Sequence, residues 1–504
     1  MGADATDAQD KDLAMVTEYA ISLSTADEME LEELRSQEEE GLLTGRLDAP
    51  KTKARRFLSS RSITTIFNYP EAGVELRPTA WLDGLRGLAA FEVFLFHYLD
   101  DWPVDKRAIW GPSKEDGHKP GVLYMPLVRS LLFSGDTAVC MFFAISGYVL
   151  SHRMLVMISD RKQEGLLPVL SSSLFRRGTR LYLPVLVQTF VLMLAIRLLG
   201  FPKPSVWPSA PTFLAELQNW FVSFIHLLMP LRFPERFEQL SNRYDGGISW
   251  TIPLEMYGSL QIYLAILALA YVSSHKARRL LLAIWIVISA MRDDWISGQF
   301  LLGLSFADYQ IQRQRDPPAP SSWQKWRPAF LAVLFALGFY TAGMPSVQYE
   351  HEEYGAAMMK TRPGFTWLNL PQPFTDLYMD FQVDRMQRCL AAWACLIAIG
   401  ELPFLRKCCE RRFVQYLGRI SFGLYLCHIW VRPCLNPLAH LTCGIFGIDS
   451  EENKTGSLVP LAWVLYFIPS AAINFIVAGL FERFLDRPSI QAGKKLEKFF
   501  LSWK

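Results

Sequence analysis

The stretch from Trp81 to Asp100, WLDGLRGLAAFEVFLFHYLD, constrains the fold of this chain more than any other segment. A helix that crosses a bilayer needs about 20 mostly apolar residues at about 1.5 Å of rise each, and this stretch nearly provides them. It also carries four ionisable side chains, at Asp83, Arg86, Glu92 and His97. Such groups are costly at membrane depth and persist mainly where they face a protein interior or a wet cavity. The stretch therefore predicts a membrane helix that contributes side chains to a site.

Arg86 and His97 are predicted to lie on one face of this helix. At about 100° of rotation per residue, the eleven-residue step from Arg86 to His97 returns to within about 20° of the same direction. It advances about 16 Å along the helix axis. Asp83 lies one turn before Arg86 and can pair with it. Alternatively, Asp83 and Arg86 anchor the helix at one headgroup layer while His97 lies at the other. The combined pattern favours a functional site, whereas Glu92 lies off this face and is expected to pair with another helix.

Composition indicates a multi-span membrane protein with polar ends. The 504 residues are 51% hydrophobic, and the 20% that are charged are gathered into blocks. The net charge of +2 gives no reason to expect a nucleic-acid partner. Most of the eight cysteines lie inside apolar runs, and none belongs to a spaced set in a polar loop. The sequence therefore predicts neither a disulfide framework nor a metal site.

Apolar runs along the chain predict an all-α, polytopic membrane protein with about ten transmembrane helices, in a range of about 9–11. The runs are Trp81–Asp100, Pro126–Leu150, Leu181–Leu199, a run that starts at Ile248, Leu280–Ala290, Trp295–Tyr309, Pro328–Gly343, Met386–Gly400, Ile420–Leu441 and Leu458–Phe481. Several are shorter than a full span, so the count depends on how they are joined. The connection 200–247, rich in proline and aromatic residues, could hold an interfacial helix.

The distribution of lysine and arginine predicts that both termini are cytosolic. A cytosolic N-terminus places the most basic segments on the inside, namely 153–180, 276–279, 313–327, 406–419 and 483–504. The loops on the opposite side are poorer in lysine and arginine although they are longer. The domain division that follows is a disordered cytosolic tail that is acidic and then basic, a transmembrane domain, and a basic cytosolic tail: 1–76, 77–489 and 490–504. No apolar stretch opens the chain, so no cleaved signal peptide is expected.

Six segments in one order resemble the acyltransferase 3 family of integral-membrane acyltransferases. They read LDGLRGLAAFEVFLFH, FFAISGYVL, RRGTRLYLP, WTIPLE, GRISFGLYLCHIW and ERFLDRPS. The resemblance runs from about Thr79 to Ser489, which is nearly all of the apolar chain. The acidic N-terminal tail and the long extracytoplasmic segments lie outside it, and these departures leave the acceptor substrate open.

The resemblance implies that an acyl group, commonly acetyl from acetyl-CoA, is transferred to a hydroxyl of a carbohydrate or another small molecule. Acyl-CoA would be a cosubstrate, and no permanently bound cofactor is implied. The family's functional pair falls on Arg86 and His97, and its basic motif falls on Arg177 and Arg180, with Arg176 adjacent. The planar guanidinium groups of these arginines, at the cytosolic side of the membrane, would suit the phosphates of CoA. Basic residues at a cytosolic helix start often only set the membrane topology, however.

The reaction requires a base for the hydroxyl, and His97 is our candidate. Histidine is the side chain whose ordinary pKa suits proton transfer near neutrality. Arg86 lies too far along the helix to reach the same atom, so a structural role or a role toward the CoA end is expected. A covalent acyl-histidine intermediate and direct transfer both remain open.

Further candidates lie in the other segments. Glu255 follows Trp250 in an apolar run and would require a cation or a donor as a partner, which favours a functional role. Ser146 and Tyr148 flank a glycine that could serve only close helix packing. His428 could be a site residue or a polar contact between helices.

Two other classes of protein stay open from the sequence. A transporter would also place ionisable residues at mid-membrane, but it predicts repeated halves with broken helices, and no convincing repeat is present. A receptor or scaffold would need no intramembrane acid and base. The expected partners are acyl-CoA, a hydroxyl-bearing acceptor and the lipid bilayer. The host membrane is the endoplasmic reticulum or the plasma membrane, and the sequence does not choose between them.

Overall fold

The computed structural model describes residues 67, 69, 76–99, 102, 122–204, 209–228, 243–292, 294–318, 321–344, 380–448 and 458–502, and within them the fold is all-helical. The α-helices are α1 (Ala80–His97), α2 (Pro126–Leu132), α3 (Gly135–Ser159), α4 (Leu166–Leu199), α5 (Phe213–Leu227), α6 (Thr251–Leu269), α7 (His275–Met291), α8 (Trp295–Arg315), α9 (Ser322–Ala342), α10 (Asp380–Glu401), α11 (Pro403–Cys409), α12 (Arg412–Val431), α13 (Asn436–Phe446), α14 (Val459–Phe481) and α15 (Arg487–Leu501). Short 3-10 turns cover Val122–Tyr124, Gln163–Gly165, Ile248–Trp250 and Arg432–Leu435, and a π-helical turn covers Glu482–Asp486.

Each of the ten predicted runs coincides with helix, although the boundaries differ. The clearest difference is α4, which begins at Leu166 and absorbs the basic stretch before the third apolar run. Arg176, Arg177 and Arg180 therefore lie several turns inside a helix, not at its start. The connection 200–247 contains α5, in the place where an interfacial helix was considered. The predicted disordered tail 1–76 lies outside the described residues except for three positions, and the predicted basic tail 490–504 is helical through Leu501.

Two predicted runs are each divided into separate helices. The run Ile420–Leu441 ends as a single helix at Val431, and prolines occupy the first turns of both elements that follow, where they replace unsatisfied N–H groups. The run Pro126–Leu150 breaks before α3. There the backbone N–H of Ser134 donates to the Glu92 carboxyl group of α1 at 3.1 Å, which satisfies a donor at the N-terminus of α3.

Among the residues that the structure describes, four helical stretches are long and apolar enough to cross a bilayer, and a fifth is obtained if α10 and α11, which meet at 99°, form one bent span. The four are Gly135–Ser159, Gln163–Leu199, Ile248–Leu269 and Val459–Leu501. α1 is not among them because Asp83, Arg86 and Glu92 make its 18 residues too polar. The outward faces of α7 and α14 expose Leu, Ile and Val side chains, as expected of a surface in contact with lipid.

α1 and α12 lie side by side with their backbones in contact. A Cβ added to Gly87 would lie 2.3 Å from the backbone nitrogen of Gly418, and a Cβ on Gly418 would lie 2.3 Å from the carbonyl oxygen of Asp83. The two helices run parallel, since Arg86 bonds to Ser421 near the middle of both and His97 lies beside His428 near the end of both. Small residues therefore fix the helix that carries the candidate site against α12.

α3 and α8 cross with a similarly close contact. A Cβ on Gly303 of α8 would lie 2.0 Å from the Ala144 carbonyl oxygen of α3. Gly298, on the same helix, has no atom within 4 Å of the corresponding position. Gly303 and Gly298 therefore form a matched pair, in which the first is tightly packed against α3 and the second is not.

We expect Gly303→Ala to destabilise the protein strongly, because the contacted atoms are backbone atoms that a methyl group cannot displace without moving a helix. Gly298→Ala should be neutral or stabilising, since alanine favours a helix over glycine by about 0.5–1 kcal/mol. The measurement is the apparent thermal unfolding midpoint in detergent. Equal midpoints for the two variants would contradict the observed packing of α3 on α8.

Candidate active site

Arg86 is held between α1 and α12 by three groups. Its Nε donates to Ser421 Oγ at 3.0 Å, its Nη2 donates to the Gly418 carbonyl at 3.1 Å, and Asp83 Oδ1 lies 3.3 Å from Nη2. Asp83 in turn accepts from Arg77 Nη2 at 2.9 Å. The predicted pairing of Asp83 with Arg86 is thus present in the structure. Two hydrogen bonds of the guanidinium therefore join α1 to α12.

His97 ends α1 beside a second histidine, His428 of α12. The ring centroids are 5.3 Å apart and the planes are inclined by 35°. His428 is completely buried, and its Nδ1 lies 3.0 Å from the Leu424 carbonyl oxygen. The guanidinium of Arg432 donates to the His97 carbonyl at 2.7 Å and so supports the C-terminal end of α1. The sequence singled out both histidines separately, and the structure brings them together.

Glu255 is the centre of a second polar cluster, which joins α3, α4 and α6. Ser146 and Arg177 both donate to Oε1 of Glu255. Arg177 also donates through Nε to Ser259 Oγ at 3.0 Å. The side chains of Arg177 and Glu255 are each only 14% exposed. This arrangement supplies the cation and the donor that a carboxylate in an apolar helix requires.

Arg176 and Arg180 face the C-terminal part of the chain. Arg180 Nε lies 3.7 Å from Asp486 Oδ1, and Arg176 Nε lies 3.6 Å from Glu497 Oε2. Arg180 keeps 42% of its side chain exposed. Helix α15, which contains Glu497, packs along α4. These two arginines are therefore more accessible than Arg177.

Arg176, Arg177 and Arg180 of α4 form an arginine cluster, and two of its members contribute to the electrostatic environment of Arg86. The charges of Arg177, Arg180 and Asp486 all contribute to the environment of Arg86. His97 lies about 16 Å further along α1. The structure thus places Arg177 and Arg180 of α4 in the environment of Arg86, near the middle of α1, and brings the two histidines together at the end of the α1–α12 pair.

Two of the weaker candidates lie in other clusters. Tyr148 donates to Gln310 Oε1 at 2.7 Å, and Gln310 donates to Glu401 at 2.9 Å, so this tyrosine joins α3 to α8 and α10. Trp250 lies under the guanidinium of Arg385, 5.7 Å from the ring centroid.

Asp245 is a buried carboxylate that the sequence did not indicate. It has no exposed surface, and its Oδ1 accepts from the Gly247 backbone N–H at 2.9 Å in a turn before α6. Within the described residues its Oδ2 has no hydrogen-bond partner. Burial raises the pKa of Asp245 to about 7, although hydrogen bonds from Ser249 and Gly247 oppose the shift. The only sequence signal was a turn-forming Asp-Gly-Gly in a long connection.

The Asp245 turn packs against α12 close to His428. A Cβ added to Gly246 would lie 2.3 Å from a methyl group of Ile429, and the backbone there has φ of +73°, which favours glycine. Tyr425 donates to the Ile248 carbonyl at 3.3 Å and accepts from Thr251 Oγ1 at 3.0 Å. The end of the helix pair that holds both histidines is therefore lined by hydroxyl and carboxyl groups from the start of α6.

Tyr98 and Asn474 complete the surroundings of the histidine pair, and sequence reasoning missed both. Asn474 of α14 donates to Tyr98 Oη at 2.7 Å, and Tyr98 Oη lies 3.4 Å from the His428 carbonyl oxygen. A lone asparagine in an apolar run gives little indication of its partner. In the part of the chain that is described, no group of three or more His, Cys, Asp or Glu side chains is placed to hold a metal ion.

Chemically, the site offers an imidazole near one end and fixed cations near the other. An imidazole can take a proton from a hydroxyl, and arginines can hold an anion. Buried backbone carbonyls and hydroxyls around His428 can fix its ring. This combination suits transfer of a group from an anionic carrier to a hydroxyl.

Comparison with known proteins agrees with this arrangement. The sequence model of a family described as an acyltransferase domain matches residues 79–479. O-acetyltransferase PaAT-1 of Phomopsis amygdali is 27% identical over 446 residues, which cover 83% of this chain and 84% of that protein. Acyltransferase R4 of a Phoma species is 24% identical over 83% of this chain and 95% of its own, and acyltransferase clz18 of Cochliobolus lunatus is 26% identical over 81% and 94%. No solved structure matches.

We expect the stability of the protein to fall as the pH rises from about 4 to 7, in part because of Asp245. A folded-state pKa of about 7, against an ordinary aspartate pKa of 3.8, means that the folded state keeps a proton that the unfolded state loses over this range. The contribution is fully present below the unfolded pKa and is lost as the pH passes the folded one. Its size is roughly 4 kcal/mol, because one pKa unit corresponds to about 1.4 kcal/mol.

Asp245→Asn should remove this dependence, since an amide cannot ionise. The measurement is the apparent unfolding midpoint of both proteins in detergent at pH 5 and pH 8. The variant should gain stability relative to the wild type at pH 8. A variant that is less stable than the wild type at pH 8 would show that the ionised carboxylate has a cationic partner.

Proposed function

We propose a specific reaction for this chain, which belongs to the acyltransferase domain family and is an enzyme that transfers acyl groups other than aminoacyl groups. In the proposed reaction, an acetyl group moves from acetyl-CoA to a hydroxyl of a small molecule, a secondary metabolite or a carbohydrate. The relative named an O-acetyltransferase supports both the acetyl group and the hydroxyl acceptor. The observation that carries the proposal is the placement of an imidazole pair at the end of the parallel helices α1 and α12, with Arg86 of α1 further back in the electrostatic environment of Arg177 and Arg180 of α4.

His97 is assigned the role of general base. Its ring accepts the proton of the acceptor hydroxyl, whose oxygen attacks the thioester carbonyl carbon while the carbon–sulfur bond breaks. The protonated imidazole then returns the proton to the CoA thiolate, so that the enzyme ends the cycle unchanged. An acyl-histidine intermediate would use the same residue. Donors for the developing oxyanion are required as well.

The arginines are assigned to the CoA end of the site. Phosphate oxygens would bind Arg180 and Arg176, whose carboxylate partners lie at 3.7 and 3.6 Å and are loosely held. The thioester would then have to reach about 16 Å along α1 to His97. An extended carrier arm suits that separation, and it explains why the anion-binding and proton-accepting groups are not adjacent.

Asp83, Arg86 and Glu255 are assigned positioning roles in this proposal. Arg86 joins α1 to α12 and adds positive potential near the arginine cluster, and Asp83 holds Arg86. Glu255 fixes Arg177 and binds Ser146, which keeps α3, α4 and α6 in place around the site. None of these groups needs to contact the reacting carbon.

The proposed topology has ten spans with both termini in the cytosol, in the endoplasmic reticulum or plasma membrane. Helix directions support the alternation. Spans whose numbers differ by an even count should run in the same direction. α1 and α12, from the first and ninth runs, are parallel, and so are α3 and α8, from the second and sixth runs. The arginine cluster then faces cytosolic CoA, and the histidine pair lies toward the opposite side. The lysine and arginine distribution agrees with this orientation.

His97→Ala should abolish CoA release from acetyl-CoA in isolated membranes, because loss of a general base typically lowers the rate by about 10² to 10⁴. His440→Ala is the matched control, since His440 is an exposed histidine of α13 outside every polar cluster described here. It should keep nearly all activity. Retention of more than a third of wild-type activity by His97→Ala would overturn the assignment. The acceptor itself can be sought by comparing metabolites of cells with and without the gene for mass differences of one acyl group.

Arg180→Ala should raise the KM for acetyl-CoA more than it lowers kcat, because contacts far from the reacting carbon contribute uniform binding. Arg180→Lys should rescue only in part, since an ammonium lacks the bidentate fork. Arg177→Ala should instead lower the yield of folded protein, because it leaves buried Glu255 without its cation. Arg197→Ala, near the other end of α4, should change neither constant. An unchanged KM in Arg180→Ala would move the donor site elsewhere.

A glycosylation test addresses the topology. The only Asn-x-Ser/Thr sequon of the chain is at Asn453, outside the described residues. A longer insert with a sequon at that place should be glycosylated, whereas an insert between Cys409 and Val414 should not. The reverse pattern would turn the arginine cluster away from cytosolic CoA.

A further inference from the structure

One ring nitrogen of His428 has a hydrogen-bond partner, and the other has none among the described residues. Its Nδ1 lies 3.0 Å from the Leu424 carbonyl oxygen, and a carbonyl can only accept, so Nδ1 carries the hydrogen. The neutral ring then presents a lone pair at Nε2. Among the described residues, no group is hydrogen-bonded to this Nε2, although the side chain has no exposed surface. Buried hydrogen-bond acceptors are nearly always paired, so this nitrogen is expected to accept a hydrogen bond during the reaction.

His97 is the donor best placed to meet that lone pair. Three rings surround His428: Phe94 at 6.4 Å, Tyr425 at 6.1 Å and His97 at 5.3 Å. Phenylalanine cannot donate, and the hydroxyl of Tyr425 already donates to the Ile248 carbonyl. The other polar groups nearby are engaged with backbone atoms: Arg432 donates to the His97 carbonyl, and Tyr98 Oη lies 3.4 Å from the His428 carbonyl oxygen.

We propose that His428 is a positioning residue that accepts an N–H hydrogen bond from His97 and thereby directs the other nitrogen of His97 toward the acceptor hydroxyl. This inference rests on the proposed function, in which His97 is the base. The resulting series of hydrogen bonds runs from the Leu424 carbonyl to the ring of His428, then to the ring of His97 and then to the substrate. Each ring donates on one side and accepts on the other, so the tautomer of His97 is set by the backbone of α12.

During transfer, the proton of the hydroxyl goes to the outward nitrogen of His97, and the ring becomes a cation. The N–H that points to His428 becomes a stronger donor, and the Nε2 lone pair stabilises the charge. When the carbon–sulfur bond breaks, the CoA sulfur takes the proton from the outward nitrogen. His428 stays neutral throughout and loses no proton. A carboxylate in its place would bring a permanent charge into a fully buried position, whereas an imidazole supplies an acceptor without one.

Two amide substitutions separate the two nitrogens of His428. An asparagine amide reaches about as far as Nδ1, so His428→Asn keeps the bond to Leu424 but has no acceptor at the position of Nε2. A glutamine amide reaches about as far as Nε2, so His428→Gln keeps an acceptor oxygen for His97. His428→Ala removes both. The full-length proteins are compared in membranes, with acetyl-CoA as the donor and water as the acceptor, and released CoA is measured.

We expect His428→Asn and His428→Ala to lose about 100-fold in kcat with little change in the KM for acetyl-CoA, and His428→Gln to retain at least a tenth of wild-type kcat. The acidic limb of the pH–rate profile should move to lower pH in His428→Asn, because the protonated form of His97 loses its acceptor. A purely structural role would not move this limb. Apparent unfolding midpoints in detergent show whether each variant is folded.

Wild-type rates and an unmoved pH profile in folded His428→Asn would overturn the inference while leaving the acyl transfer intact. A folded His428→Gln that is as inactive as His428→Asn would also overturn it, because His428 would then be needed as a base in its own right. A wild-type protein that releases no CoA, with or without an added hydroxyl acceptor, would instead refute the proposed function itself.

Discussion

The backbone contact between α1 and α12 determines where every group of the candidate site lies. At Gly87 and Gly418 the two helices touch without side chains between them, and a single methyl group at either position would meet backbone atoms. Since the helices are parallel, this contact fixes two pairs of residues at once: Arg86 beside Ser421 and His97 beside His428. A helix with this many ionisable residues is poorly stabilised by lipid. It is retained because the neighbouring helix supplies hydrogen-bond partners and excludes the bilayer.

Under the proposed function, the order of polar groups, from the arginines of α4 and Arg86 to the two histidines, would match the order of atoms in an acyl carrier. Arginines lie where an anionic end would be held, and histidines lie where a thioester and a hydroxyl would meet. A transporter would also need ionisable residues at this depth, and from the sequence alone the two classes could not be separated. Membership in an acyltransferase family decides between them.

The sequence predicted which segments are helical and which of their residues are chemically unusual, because hydropathy and ionisable residues are read locally. Apart from the pairing of Asp83 with Arg86 one turn away, it did not predict partners. Nothing local indicates that Arg177 bonds to Glu255, 78 positions later, or that Tyr148 belongs to a cluster with Gln310 and not with its neighbour Ser146. Asp245 was missed because a carboxylate in a polar connection is ordinary until packing against α12 buries it. The break before α3 was missed for a similar reason, since it depends on Glu92 of another helix.

The carboxylates that face the arginines bear on how the site would select its donor. Every arginine of the cluster has an acidic partner: Glu255 for Arg177, Asp486 for Arg180 and Glu497 for Arg176. Arg180 and Arg176 keep 42% and 38% of their side chains exposed, and their carboxylate partners lie 3.7 and 3.6 Å away, so an incoming anion can approach both arginines from solvent. Breaking a buried pair costs about 3–5 kcal/mol, which argues that Arg177 keeps Glu255 throughout. Under the proposed function, a ligand with several phosphate oxygens would bind both accessible arginines together, whereas a single carboxylate offers only two oxygens. The proposed site would therefore select a polyphosphate carrier over a simple organic acid.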